Sequence, residues 1–282
     1  MLIERCVVKN KKNLPSKVEC VSFSKTVVIN TTTKILFDYN KRLNKMVVDR
    51  ARAKVRFKAT PINFFIALVI GKMVKTHNAI LILCTNGYGE DAAILTRSIF
   101  ETLLNIEYIL KENSEERVKR YIEHSQKIKG VYLQALSTHT DATAHSDSAL
   151  SDEEKQKIIS EAAMAQEKYD FKINGWSDKS GYKMAEDVGM LADYEMFYKM
   201  MCGLAHTDIL ALDGYASLDK EESPKINMDP SDKYVEVTLV SVFDYFIKIV
   251  DKWNDLLKLG MDNDLQKFFD EYSSSMREIK SV

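Results

Sequence analysis

Arg97 and Glu101 stand one helical turn apart in the stretch Glu90 to Glu112, EDAAILTRSIFETLLNIEYILKE, and Tyr198 and His206 stand two turns apart in a later segment. A guanidinium can hold a phosphate or a carboxylate by two hydrogen bonds. A carboxylate can take a proton, and an imidazole can pass one on near neutral pH. If the two segments meet, Arg97, Glu101 and His206, with Tyr198 beside them, suffice for acid/base work on an anionic substrate. The same residues have a plainer use, as a buried Arg-Glu pair with His206 bonded into it that keeps two helices in register. Arg117 and His124 form a second pair. Seven residues on a helix return to within about 20° of the starting direction, so both can face one pocket or one solvated helix surface.

Other chemistries are poorly represented. Gly87-x-Gly89 lacks the third glycine and the lysine of a phosphate-cradling loop, and there is no nucleophile elbow. His139 and His145 lie with Asp141 and Asp147 in the Ser/Thr/Ala/Asp-rich run 137–152, but their spacing matches no metal-ligand signature. Cys6, Cys20, Cys84 and Cys202 are scattered without a C-x-x-C pair, so neither a disulfide framework nor a zinc site is signalled. No cofactor and no metal is expected, and the cysteine usage fits the cytoplasm.

The elements that would position these residues are helices. Four prolines and ten glycines in 282 residues favour long helices over a strand-and-turn sandwich. In the Glu90 to Glu112 stretch, Leu95, Ile99, Phe100, Leu103, Leu104, Ile106 and Leu110 cover more than half the circumference, which predicts an enclosed helix. Glu90, Arg97, Glu101, Asn105 and Tyr108 leave a polar stripe about 80° wide. Thr60-Pro61 starts a helix reaching about Cys84 that is apolar on most faces. Asn86-Gly87 and Gly89 turn it into the polar-striped helix as an antiparallel pair. Ser114 to Glu116 open a helix to about Leu136, and Ser151-Asp152-Glu153-Glu154 caps another to about Tyr169. The segment 182–212 predicts one long helix, with Glu195, Lys199, Cys202 and His206 along one stripe. Residues 213–233 read as loop, and two helices, 234–259 and 264–279, end the sequence. Ahead of them, Thr31 to Thr33 cap a helix from Lys34 to about Lys58, and the β-branched run Val18 to Asn30 suggests short strands or an extended arm.

The net charge of −1 conceals a division. Residues 1–60 hold 15 Lys/Arg against 4 Asp/Glu, and residues 61–282 hold 25 against 37. The basic part can meet nucleic acid phosphates, with Arg50, Arg52, Lys54 and Arg56 as the contacts, or fold back on its own acidic body or on a second copy. No stretch reaches the roughly 18 uncharged apolar residues of a membrane span, since Phe64 to Gly71 is followed by Lys72 and Lys75.

Two resemblances add to this. Arg117-x6-His124 is similar to the Arg-x4-to-6-His motif of the HEPN endoribonucleases, helical proteins in which Arg and His of two protomers activate the 2′-hydroxyl of RNA without metal. Val118 stands where that motif carries a polar residue. From about Tyr88 to His206 the chain also resembles an uncharacterised bacterial all-helical family of unknown function, itself similar to HEPN-type domains and phage-defence effectors. That likeness rests on the Arg97-Ser-Ile-Phe-Glu101 helix, the Glu116-Arg117 to Tyr121 segment, Trp176 and the Tyr194-x3-Tyr198-x3-Cys202-x3-His206 ladder. The family pattern usually has Ser at the position of Cys202. The resemblance implies functional roles for Arg97, Glu101 and His206.

The expected architecture is mainly α: a bundle of antiparallel helices over 61–282, preceded by a basic extension and first helix over 1–60 that is partly irregular or β-containing. The expected function is a metal-independent endoribonuclease or another nucleic acid-acting effector of bacterial phage defence. RNA, a protein of the same defence system and a second copy of the chain would be its partners. The competing expectation is a non-catalytic helical module that binds a protein or small ligand, its Arg/Glu/His seam serving as structural glue.

Overall fold

Burial of the apolar positions between Gly89 and Lys111 organises the molecule. In a computed structural model that describes residues 30–53, 56–138, 150–171, 175–212, 215–218 and 224–280, Ile99, Phe100, Leu103, Leu104, Ile106 and Ile109 of this helix, α3 (Gly89–Lys111), are all buried. The helices before it are α1 (Thr31–Arg52) and α2 (Pro61–Thr85). After it come α4 (Ser114–Thr138), α5 (Asp152–Tyr169) and the short α6 (Gly181–Asp187). Helix α7 spans 191–205, α-helical at Leu191–Asp193 and Lys199–Ala205 with a π-type turn at Tyr194–Tyr198 between them. A single turn, α8 (Ile209–Leu212), leads to an antiparallel hairpin of β1 (Ala216–Leu218) and β2 (Pro224–Ile226), with Ser217 opposite Lys225. Helices α9 (Val235–Leu257) and α10 (Asp262–Lys280) follow.

The fold is a mainly α multi-helix bundle. Helix α9, whose Val242, Phe246, Ile249 and Val250 are fully buried, packs beside α3. Helices α1 and α2 lie against α9, while α6 and α7 cover the other side of α3. Helix α1 contributes Leu36, Leu43 and Val47 to the same core. Helices α4 and α5 form an antiparallel pair in which Gly130 permits close approach; a Cβ there would come within 2.4 Å of that of Ala162.

Local chemistry accounts for the helix ends. Asn30 caps α1, its Oδ1 accepting from the Thr33 amide at 2.7 Å, so the helix begins at the threonines that the sequence suggested as caps. Thr60 caps α2 with Pro61 in the first turn. Ser151 and Glu154 form a reciprocal capping box on α5. The predicted helix over 182–212 is instead broken twice. Gly189, at φ +75°, ends α6, and His206-Thr207 ends α7, with Thr207 at φ +58°. The segment 213–233 contains the short hairpin. The suggested strands before Asn30 and the His139/His145 run lie outside the described residues.

By length and composition alone α2 could cross a membrane. In the bundle one side of it, Ile66, Ile70, Met73 and Ile80, is core, while Phe64, Leu68 and Ile82 face outward. Midway along it His77 is fully buried and fully bonded. Asn44 Nδ2 lies 2.9 Å from His77 Nδ1, and His77 Nε2 lies 2.9 Å from Asn40 Oδ1. Asn40 in turn donates to the Leu36 and Leu239 carbonyls, and Phe246 stacks on the imidazole at 4.5 Å. Burial lowers the pKa of His77 from 6.5 to about 3. With an amide N–H pointed at Nδ1 and an amide oxygen at Nε2, the ring is a neutral imidazole protonated on Nε2.

Candidate functional site

The polar stripe of α3 is where helices α4, α6 and α7 converge. Arg97 donates from Nε to Glu101 Oε1 at 2.9 Å, and the Tyr198 hydroxyl of α7 donates to the same oxygen at 2.9 Å. The Arg97 guanidinium also lies over the Tyr198 ring, 5.4 Å from its centre. Cys202, one turn further along α7, lies beside the Tyr198 phenol and adds to the upward shift of its pKa. Tyr194, one turn before Tyr198, stacks on it at 4.7 Å, and both rings rest against buried Phe100. Two residues of α3 and three of α7 thus make one seam.

The π-type turn places those three together. The Lys199 amide bonds the Tyr194 carbonyl five residues back, so Tyr194, Tyr198 and Cys202 all turn toward α3. Glu195 and Lys199, which the sequence grouped with Cys202 and His206, are exposed.

Electrostatics assign the protons. Burial works against the charge of Arg97, but the hydrogen bond to Glu101 and its negative charge outweigh it and raise the arginine pKa above the ordinary value. Burial first, then the charge of Glu101, the hydrogen bond to it and the Cys202 contact raise the Tyr198 phenol far above its usual range. Tyr198 is therefore a fixed donor at neutral pH. Tyr121 of α4 is raised by burial and then by the same carboxylate.

The seam is open to solvent on one side, since the Arg97 and Glu101 side chains are 26% and 42% exposed. Only Nε of Arg97 is occupied, and its two terminal nitrogens carry no hydrogen bond among the described residues. His206, the residue after α7, is exposed, and no hydrogen bond joins it to Arg97 or Glu101 among the described residues. It follows Cys202 by one turn, the His206 amide donating to the Cys202 carbonyl at 2.9 Å.

Arg117 and His124 are not brought together by any described bond. Arg117 donates to the Tyr108 carbonyl and to Glu112 Oε1, each at 2.5 Å, with its guanidinium 4.0 Å from the Tyr108 ring centre. His124 faces Phe171 at 4.9 Å, with its Nε2 buried and without a hydrogen-bond partner among the described residues, and its pKa is lowered by burial and then by Lys127 and Arg120. Arg120, between them, donates to the Trp176 and Tyr169 carbonyls and so pins the connection after α5. Further along the stripe, Asn105 Oδ1 accepts from Trp176 Nε1 at 2.9 Å, and the hydroxyl of buried Tyr108 donates to Asp178.

Of the basic run, Arg50 lines a cleft of about 580 Å³ between α1 and α10, together with Arg42, Lys45, Asp49 and Asp264. Arg52 and Arg56 are exposed, and Lys54 lies outside the described residues. Arg42 and Lys45 are paired there with Glu271 and Asp49. Among the described residues no three His, Cys, Asp or Glu side chains gather as a metal site would require. The sequence offered Tyr194 only as a rung of the ladder that carries the family likeness and did not assign it to the seam, although its four-residue spacing from Tyr198 and Cys202 held the signal. Tyr121, named only as the end of the α4 segment, packs against Phe65 and Trp176 and meets the seam through the charge of Glu101.

A protein-family model described as a family of unknown function (DUF5677) matches residues 63–224, more than half of the chain. The chain belongs to the DUF5677 family. Its matched region runs from the first turn of α2 into β2 and contains every residue of the seam, whereas α1, α9 and α10 lie outside it. No curated protein and no solved structure matched this DUF5677 member.

Proposed function

We propose that the α3/α7 seam acts on the phosphodiester of RNA, making the protein a metal-independent endoribonuclease or a related nucleic acid-acting effector of bacterial phage defence, akin to HEPN-type domains. The observation that supports this reading is Arg97: a partly exposed guanidinium held by Glu101 over the Tyr198 ring, with both terminal nitrogens unbonded among the described residues. Two adjacent N–H groups in that position match two oxygens of a phosphate. Glu101 orients the guanidinium, and Tyr198 keeps Glu101 in place.

His206 takes the proton of the ribose 2′-hydroxyl, whose oxygen attacks phosphorus. The bond to the 5′ oxygen breaks, and that oxygen takes a proton from solvent. The products are a 2′,3′-cyclic phosphate and a 5′-hydroxyl. Arg97 offsets the charge that grows on the phosphorane oxygens. A cytoplasmic location, a homodimer and a protein partner from the same defence system belong to this reading.

The test is incubation of wild-type, Arg97→Ala and His206→Ala protein with total RNA in EDTA. Wild type is expected to cut, with each variant about 100-fold slower or worse. Equal cleavage by all three, or none by any, overturns the proposal. A second reading, a non-catalytic module that binds a protein or small ligand, is favoured by the bond from the Tyr198 hydroxyl to Glu101, which ties α7 to α3. Absence of cleavage together with a lower melting temperature for Glu101→Ala would support it.

A further inference from the structure

Beside Arg97 runs a row of tyrosines, of which the chemistry above uses only Tyr198. From the Tyr198 ring under the guanidinium, the row continues to Tyr194 at 4.7 Å and from there to Tyr182 of α6 at 5.8 Å, edge to face. All three rings are half-buried. Tyr194 sits against bare backbone, since a Cβ on Gly181 would stand 3.5 Å from Cε2 of that ring. At the far end Lys183 carries a second cation 5.7 Å from the Tyr182 ring centre, paired with Glu186 in a bridge whose side chains are 59% and 46% exposed. A cation, three aromatic rings and a second, exposed cation thus follow one another in contact.

We infer that the Tyr182 ring, set edge to face against Tyr194, is a stacking surface for an unpaired nucleobase of a strand whose phosphate is held by Arg97, so that the ligand of the seam is single-stranded RNA. The inference rests on the proposed function for the nature of the ligand and adds its strandedness. Aromatic side chains bind any base by its face, but only a base released from a helix offers that face. Lys183 can leave Glu186 for the next phosphate, because an exposed ion pair is worth little. A duplex presents phosphates to Arg97 and no free base to Tyr182.

The experiment is fluorescence anisotropy in EDTA with labelled oligodeoxyuridylate, which lacks the 2′-hydroxyl and cannot be cut through it, against the same strand annealed to its complement and against uridine monophosphate as competitor. Wild type is expected to prefer the single strand at least 10-fold. Tyr182→Ala should weaken single-strand binding by about 5-fold or more, the loss of one stacked base. Tyr182→Phe should bind as wild type does, which separates stacking from any role of the hydroxyl, and circular dichroism shows whether each variant is folded.

Equal affinity for single strand and duplex, no binding of either, or unchanged binding by a folded Tyr182→Ala overturns the inference. Competition by uridine monophosphate at concentrations comparable to the strand overturns it in favour of a mononucleotide ligand. Binding that depends on Tyr182 without any RNA cleavage keeps the platform and removes the nuclease. Cleavage that is indifferent to Tyr182 does the reverse.

Discussion

Replacing His77 by Gln removes a titratable group from the middle of the core, and the structure says how much of the protein's acid sensitivity should go with it. The imidazole is fully buried between Asn40, Asn44 and Phe246, none of which ionises, and burial has taken its pKa from 6.5 to about 3. Above about pH 6.5 neither the folded nor the unfolded chain protonates His77, and the neutral-ring network contributes in full. As pH falls from 6.5 toward 3 the unfolded chain gains a proton that the folded one refuses, so stability is lost across that window. At about 1.4 kcal/mol for each tenfold difference in proton affinity, the loss between neutral pH and about pH 5 is about 2 kcal/mol. Urea unfolding of wild type and His77→Gln at about pH 8, 6 and 5 measures it. The variant starts lower at pH 8 because it gives up the stack on Phe246 and part of the network. The gap between the two proteins should then narrow by about 2 kcal/mol by pH 5, while all other titrations cancel in the difference. Parallel stability curves would refute the argument, since they would mean that His77 takes up its proton equally in both states.

Three further outcomes concern two glycines and one hydroxyl. Gly89→Ala should destabilise by about 3 kcal/mol in the same urea assay, because the added Cβ would lie 2.0 Å from the Lys233 carbonyl oxygen and 2.7 Å from the Val235 nitrogen, both backbone. Gly71→Ala, with open space around it on an exposed face of α2, should instead stabilise by about 1 kcal/mol. Tyr198→Phe removes one of the two donors to Glu101 and should cost about 1 kcal/mol by thermal or urea unfolding. In that variant the arginine is less firmly aimed, and under the proposed ribonuclease function the rate of RNA cleavage should fall with it.

Much of the scaffold was legible because the deciding interactions are local. Thr60-Pro61, the Ser151/Glu154 box and the turn at Asn86-Gly87 are short-range devices, and the apolar period of α3 already named Ile99, Phe100, Leu103, Leu104 and Ile106, which are buried, whereas Leu95 and Leu110 are only partly so and Tyr108, set on the polar stripe, is buried as well. The polar stripe of α3 was readable for the same reason, and Arg97 and Glu101 do lie together on it. Their partners were harder to read. A π-type turn changes the phase of a helix without changing its composition, so the stripe drawn on a regular wheel grouped Glu195 and Lys199 with Cys202, where the fold turns Tyr194 and Tyr198 inward. Arg117 and His124 share a face of α4, yet the Tyr108 carbonyl and Glu112 draw the arginine to the end of α3 while Phe171 meets the imidazole. Nothing in the sequence around His77 pointed to its burial, because its two asparagines are supplied by α1, more than thirty positions away.

The wider turn in α7 gives the seam a property that no single side chain has. Five residues there span what four would in a regular helix, so removing any one of 194–198 would bring the coil back into ordinary step and swing everything downstream, Cys202 and His206 included, by roughly a quarter of a revolution relative to Tyr194. The spare residue works as a phase adjuster. Length variation can be absorbed at Gly189 or beyond Thr207, where the backbone already changes direction. Between those two points the residue count is part of the site, as much as the identity of its tyrosines.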